Sequence, residues 1–346
     1  MTTRVPIYGL DWHQRQSPSQ RTLVLEPLER LIDFQQITWN GEEVSELPSA
    51  IQRVPAVFYQ FPPPRSLLRT QNACLVWIPM WDHARFLSSE WWQTLPKTLR
   101  VVAFSGEVEK KAKRAGLSNL RITYCANPSE WEPTSWRGER VLMYWNRVGL
   151  VGPVFLQRLC ETLGIGRMIF IRRVDPLIPS WFDYPLPSRI GNTITTQVSS
   201  DGPLPRQDYL GLFNQANIFI APRLSEGVGL TFIEALARGC AVFAYNAPTM
   251  NEYISSGMNG YLLPRYGSSL LRFLGERVRS RLLRYRAEWM TREPFFEHRV
   301  SEWQDWEAIG KLDLVTLGNS AREGQAIGFA KWRESIPDLA RFILDW

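Results

Sequence analysis

Short apolar runs recur along this chain, separated by stretches whose apolar positions fall three and four residues apart. Val5–Tyr8, Ala56–Tyr59, Ala73–Ile78, Val101–Phe104, Val141–Trp145, Met168–Ile171, Ile218–Ile220 and Ala241–Ala244 are nearly continuous apolar segments too short for helices. Such segments predict strands buried on both faces of a parallel sheet. Between them, Phe86–Thr94, Glu107–Ala115, Asp208–Gln215 and Leu230–Arg238 predict helices. Thr22–Ile32 carries Leu23, Leu25, Leu28 and Leu31 at helical spacing, and Pro27 is expected to place the helix start near itself. Alternating strands and helices with right-handed crossovers predict an α/β fold.

The pattern is sharpest from Ile218 to Pro264. Pro222 ends the strand Ile218–Ile220, the loop Ser225-Glu226-Gly227-Val228-Gly229 follows, and the helix Leu230–Arg238 closes on Gly239 as its C-terminal cap. A glycine loop feeding a helix aims free backbone N–H groups and the positive end of the helix dipole at one point, which suits an anion. Glu234 lies about five residues into the helix, roughly 7.5 Å along its axis. A diphosphate at the helix start therefore has one carboxylate, Glu226 or Glu234, near each of its substituents. Carboxylates are strong acceptors for sugar hydroxyls. The competing reading makes both ordinary surface glutamates. Against it, Phe232-Ile233-Glu234-Ala235-Leu236-Ala237 is an apolar setting, where a buried acid needs a partner.

With Glu234-Ala235-Leu236-Ala237-Arg238-Gly239-Cys240-Ala241-Val242, this loop resembles the signature of the family 4 glycosyltransferases of the GT-B fold, which carry two glutamates separated by seven residues. Asn251-Glu252-Tyr253-Ile254 and Gly257-Met258-Asn259-Gly260-Tyr261-Leu262-Leu263-Pro264 continue the similarity. The resemblance implies two Rossmann-like domains with parallel sheets facing a central cleft. Residues 1–135 form the acceptor side, 136–318 bind the nucleotide sugar, and 319–346 are C-terminal helices packing back on the first domain. It implies a retaining transferase moving a hexose-type sugar from a nucleotide diphosphate sugar to a hydroxyl acceptor: a glycan, a lipid-linked glycan or a protein. No cofactor is expected beyond the donor substrate, and no metal. Glu226 then binds the sugar hydroxyls and Glu234 the ribose, while Gly227, Val228, Gly229 and Leu230 present N–H groups to the diphosphate. His83 and Asp82, in Pro79-Met80-Trp81-Asp82-His83-Ala84-Arg85, fall in a loop after a strand and complete the expected catalytic set with Glu226. The alternative for His83 is a surface or capping residue.

Three departures from the family pattern stand out. The stretch Gln14–Arg21 has no glycine pair, and no lysine follows Arg147. Strand Met168–Ile171 ends in Arg172-Arg173 where the family tends to have glycine. Arg147 and Arg173 are the candidates for the missing positive charge on the diphosphate, guanidinium being a bidentate phosphate ligand. The other reading of the arginine pair is a solvated strand end.

Composition narrows the class without deciding it. With 346 residues the chain has room for two domains, and 45% hydrophobic residues exclude wholesale disorder. Cys74, Cys125, Cys160 and Cys240 are scattered in or beside apolar runs, which predicts reduced core thiols in a cytoplasmic protein. Met1–Ile7 has no apolar signal-peptide core, and no run approaches the ~18 apolar residues of a membrane span. A net charge of +6 fits a phosphorylated ligand or anionic lipid, and the 15 tryptophans fit core packing, carbohydrate stacking or a membrane interface. The arginine-rich stretch Leu270–Met290 is either a solvated helix face or a surface for peripheral membrane contact. No nucleic-acid partner, zinc spacing or Asp-x-Asp pair is indicated. Two alternatives of different class stay open: a catalytically silent GT-B binding or partner subunit, and a nucleotide-sugar epimerase on the same fold.

Overall fold

The computed structural model describes residues 4–11, 18–39, 41, 54–70, 74–146, 153–173, 186–200, 204–221, 226–264 and 304–345. The chain forms two compact units. The first comprises Met1–Cys125, Ser225–Leu230 and Ile327–Trp346; the second comprises Ala126–Leu224 and Thr231–Ala326.

The first unit is built on a parallel sheet of β1 (Val5–Gly9), β2 (Phe34–Thr38), β3 (Ala56–Tyr59), β4 (Leu75–Ile78), β5 (Arg100–Ala103) and β6 (Ser118–Arg121), in the order β2-β1-β3-β4-β5-β6. Every residue of β3 and β4 is buried, as their unbroken apolar runs require. β2 escaped the sequence pattern because it is an edge strand of mixed, partly exposed residues, with Gln35-Gln36 at its centre. Aromatic residues fill the core: Tyr8 stacks on Phe58 at 4.6 Å, and Trp77 packs on Trp92 at 4.9 Å. The first helix (α1) begins upstream of Pro27, contrary to the expectation. A π-helical stretch, Arg21–Leu25, runs into Glu26–Leu28, and its wider turn accommodates the proline, which has no N–H to bond. After α2 (Arg65–Leu68) comes α3 (Trp81–Ala84), and the helix expected over Phe86–Thr94 is the shorter α4 (Ser89–Gln93). Ser88 sets the start of α4 as its N-cap, its Oγ accepting from the Trp91 N–H at 3.1 Å. Ser105 caps α5 (Gly106–Arg114) in the same way.

The second unit holds β7 (Val141–Asn146), β8 (Arg167–Arg173), β9 (Arg189–Ile190), β10 (Thr193–Ser200), β11 (Ile218–Ala221), β12 (Ala241–Tyr245) and β13 (Tyr261–Leu263). Their order is β13-β12-β11-β7-β8-β10-β9, parallel except for β9. Its helices are α6 (Pro153–Leu163), α7 (Arg206–Phe213), α8 (Leu230–Arg238), α9 (Met250–Tyr253) and α10 (Trp306–Gly310). The last helix, α11 (Leu314–Leu344), runs without interruption through Gly318, Gly324, Gly328 and Pro337. α8 ends as its sequence dictates. Gly239 has φ +85°, its N–H reaches Leu236 O at 3.0 Å, and Cys240 N–H reaches Ala235 O at 3.0 Å, a Schellman closure.

Residues 127–136 are held on the second unit by two arginines. The Arg238 guanidinium, 1% exposed, donates to Glu132 O at 3.2 Å, Asn214 O at 3.3 Å and Phe213 O. Arg322 donates to Pro128 O and to Ala237 O, each at 2.7 Å. The four cysteines are free thiols; three are buried, and Cys74 is half-buried rather than in the core. Arg147, the stretch Val148–Gly152 and the arginine-rich Leu270–Met290 lie outside the described residues.

Candidate functional site

Strand order reverses between β7 and β11 in the second sheet, and between β1 and β3 in the first. In open parallel sheets, ligands bind beyond the carboxyl ends of the strands at such switch points. The glycine loop follows β11 in the chain.

All four residues of β11 are buried, and the chain re-emerges at half-buried Glu226, followed by buried Gly227 and Val228. Gly229, at φ +82°, turns the backbone into α8, a conformation that favours glycine. Leu230 opens α8, whose first N–H groups have no partner within the helix. Phe232, Ile233, Ala235, Leu236 and Ala237 anchor α8 in the second unit's core.

Glu234 sits among these apolar neighbours with its side chain 14% exposed, and the partner its setting demands is on α7. Arg206 Nη1 donates to Glu234 Oε1 at 3.3 Å, and Tyr209 Oη donates to Oε2 at 3.2 Å. Burial raises the Glu234 carboxyl above its ordinary value, opposed by the charge and hydrogen bond of Arg206 and then by Tyr209. The same burial, with Glu234 beside it, holds the Tyr209 phenol far above its ordinary value. The Arg206 guanidinium lies 5.1 Å from the Trp131 ring centroid and 5.6 Å from that of Tyr209, and Tyr209 packs on Trp145 at 5.3 Å. Neither Arg206 nor Tyr209 was singled out in the sequence. Twenty-eight and twenty-five positions separate them from Glu234, and the one available signal was the apolar setting of that acid.

In the first unit, Asp82 and His83 belong to the short helix α3 rather than to a loop. The His83 ring meets Phe61 edge-on at 4.3 Å, and its buried Nδ1 has no hydrogen-bond partner among the described residues. Burial lowers the His83 pKa, against the pull of the Asp82 charge, so the ring is neutral at pH 7. Asp82 Oδ1 lies 3.0 Å from where a Cβ on Gly227 would stand. Burial, with the Asp82 charge added to it, pushes the phenol of Tyr59, at the end of β3, well above its ordinary value. Gln20 is fully buried with its amide against Gly9 at the end of β1, and neither amide atom has a hydrogen-bond partner among the described residues. These polar groups gather at the carboxyl edge of the first sheet. Gln20 and Tyr59 carried no sequence signal, because residues far apart in the chain form this edge.

The structure thus brings Asp82 beside Gly227 and, separately, Glu234 beside Arg206 and Tyr209. Arg173 ends β8, paired with Ser200 of β10. Among the described residues, no group of three or more His, Cys, Asp or Glu side chains is placed to hold a metal ion, and no helix is long and apolar enough to cross a membrane.

Residues 193–271, containing the loop and α8, match the family model of glycosyl transferases group 1. Over its full length the chain is similar to sucrose-phosphate synthase from Thermosynechococcus elongatus, with 13% identity, 98% of each chain covered and a TM-score of 0.60. A glycosyltransferase from Rickettsia africae is similar to the same degree, with 13% identity, 99% of each chain covered and a TM-score of 0.57. The fold is GT-B. This GT-B chain is also 35% identical over 54 residues to the GtfA subunit of the UDP-N-acetylglucosamine–peptide N-acetylglucosaminyltransferase of Streptococcus pneumoniae. That match spans 15% of the GT-B chain and 11% of the subunit.

Proposed function

We propose that the protein is a retaining glycosyltransferase that moves a hexose-type sugar from a nucleotide diphosphate sugar to a hydroxyl acceptor. The observation that carries this reading is the β11–loop–α8 unit inside the matched family segment. There, Glu226 and Glu234 flank a glycine turn whose backbone N–H groups open a nine-residue helix.

In this proposal, Gly227, Val228, Gly229 and Leu230 present N–H groups and the helix dipole to the diphosphate, stabilising the charge that grows as it departs. Arg147 and Arg173 are the proposed cationic partners of that charge. Glu226 accepts hydrogen bonds from the sugar hydroxyls, and Glu234 from the ribose. The bond between sugar C1 and the diphosphate oxygen breaks, and C1 bonds to the acceptor oxygen with its configuration kept. The acceptor proton passes to the departing diphosphate, so the reaction needs no strong protein base. His83, neutral at pH 7, and Asp82 are the proposed acceptor-side groups. The sequence has no Asp-x-Asp pair, and we propose that transfer proceeds without a metal ion.

The test is turnover. Wild-type protein is incubated with UDP-, GDP-, ADP- and dTDP-sugars, with and without chelator, and free nucleoside diphosphate is measured. Release from one donor family, insensitive to chelator and abolished in Glu226→Ala and Glu234→Ala, is the expected result. Full activity in both variants contradicts the assignment of the site.

A further inference from the structure

Glu234 is a buried acid whose two oxygens are each engaged by a different residue of one neighbouring helix. Arg206 takes Oε1 at 3.3 Å and Tyr209 takes Oε2 at 3.2 Å, three positions apart on α7 and therefore on one face of it. The guanidinium lies over two rings, those of Trp131 and Tyr209, which restricts its position. The Tyr209 ring is fixed in turn by Trp145 at 5.3 Å and by stacking on Phe213 at 5.2 Å.

We propose that Arg206 and Tyr209 are positioning residues for Glu234, fixing its charge and orientation so that its remaining lone pairs accept the two vicinal hydroxyls of a ribose. This rests on the reading of Glu234 as the ribose acceptor. Each carboxylate oxygen accepts from one protein donor and keeps acceptor capacity for one hydroxyl. An isolated acid in these surroundings takes up a proton, and a protonated carboxyl has lost acceptor strength and gained a donor. Among the described residues, the charged and titratable groups facing Glu234 are Arg206 and Tyr209, both from α7. Tyr209 stays protonated as a donor because its phenol is held far above its ordinary value. Arg206 is thus the counter-charge, and its side chain is 56% exposed, so its effect is moderated by water.

The test measures binding of UDP, ADP and GDP, each beside its 2′-deoxy form, to wild type, Glu234→Gln, Arg206→Gln, Arg206→Lys and Tyr209→Phe across pH 5.5 to 8.5. Thermal denaturation without ligand checks that each variant folds. Comparing proteins on one nucleotide cancels the nucleotide's own phosphate titration. Wild type is expected to bind one ribonucleotide more tightly than its 2′-deoxy form and to weaken on acidification. In Arg206→Gln the midpoint of that weakening moves up by about one pH unit, and affinity at neutral pH falls about three- to tenfold. Arg206→Lys holds the midpoint near wild type, and Tyr209→Phe loses discrimination between the ribose and 2′-deoxyribose forms. A packing role would weaken binding equally at every pH. If Glu234→Gln binds like wild type, or no nucleotide binds, the ribose-site reading fails and the inference with it. If Glu234→Gln loses binding while Arg206→Gln and Tyr209→Phe follow the wild-type profile, the inference alone is overturned.

Discussion

Asp82 and Gly227 leave no room for a side chain between them. A Cβ on Gly227 would lie 3.0 Å from Asp82 Oδ1 and 3.0 Å from the Met80 Cβ, both tighter than ordinary packing. Glycine here lets the backbone of the loop before α8 pass close to the end of β4. Gly227→Ala is therefore expected to destabilise the protein by about 1–3 kcal/mol, the usual cost of overpacking, and to weaken nucleotide binding by displacing the loop. Asp82→Ala in that background should restore part of the loss, since Met80 still blocks the other side. A double-mutant cycle of melting temperatures and nucleotide affinities measures the coupling; strictly additive effects would contradict this account of the contact.

His83 gives a pH dependence of defined sign. Its folded-state pKa is lowered, chiefly by burial, so the unfolded chain binds the proton more readily. The stability gained from the neutral ring is complete above the unfolded value of about 6.5 and is lost as pH falls below it. His83→Gln should flatten the fall in melting temperature between pH 7.5 and 5.5. An unchanged slope would remove His83 from the groups that set it.

Gly318 tests packing against intrinsic propensity. Replacing a helical glycine by alanine normally stabilises by up to about 1 kcal/mol. Here the new Cβ would overlap the carbonyl oxygen of Gly239, the cap of α8, and stand 3.0 Å from the Trp136 ring. Gly318→Ala is expected to lower the denaturation midpoint. A rise would mean that α11 does not approach the α8 cap as described.

Asn217 bonds three backbone groups at once. Its Oδ1 accepts from Val141 N–H at 2.9 Å, and its Nδ2 donates to Glu139 O at 3.0 Å and Ser135 O at 3.3 Å. Alanine would leave those groups unpaired in a site that is 4% exposed, at a cost of about 2 kcal/mol or more. Chemical denaturation of Asn217→Ala measures that cost, and a loss under 0.5 kcal/mol would show that other groups take over.

The parts of the fold legible in the sequence are those where one signal dominates. Ala56–Tyr59 and Leu230–Arg238 match β3 and α8 end to end, because a buried apolar run and a glycine-capped amphipathic helix have few alternatives. β2 and β10 were missed because their residues are mixed and partly exposed, so pairing with neighbours overrides a weak local pattern. The late start of α4 was concealed by helical apolar spacing that runs across its capping residue, Ser88. At the site, the glutamate spacing was readable because one loop and one helix hold both residues. The Arg206–Glu234–Tyr209 cluster was not, because contacts between elements leave no periodicity in the chain. The apolar setting of Glu234 did announce that a partner was needed, without naming it.

The most direct test of the central claim is a thermal-shift titration of the intact chain with UDP, GDP, ADP, dTDP and their sugar conjugates, without added metal. A ligand that binds the folded state must raise the melting temperature once its concentration exceeds its Kd. Stabilisation by one nucleotide family, retained with its sugar conjugate and lost in Glu234→Gln, is the expected result. No stabilisation by any member at millimolar concentration would contradict a nucleotide-sugar donor site and favour a silent binding subunit on this fold.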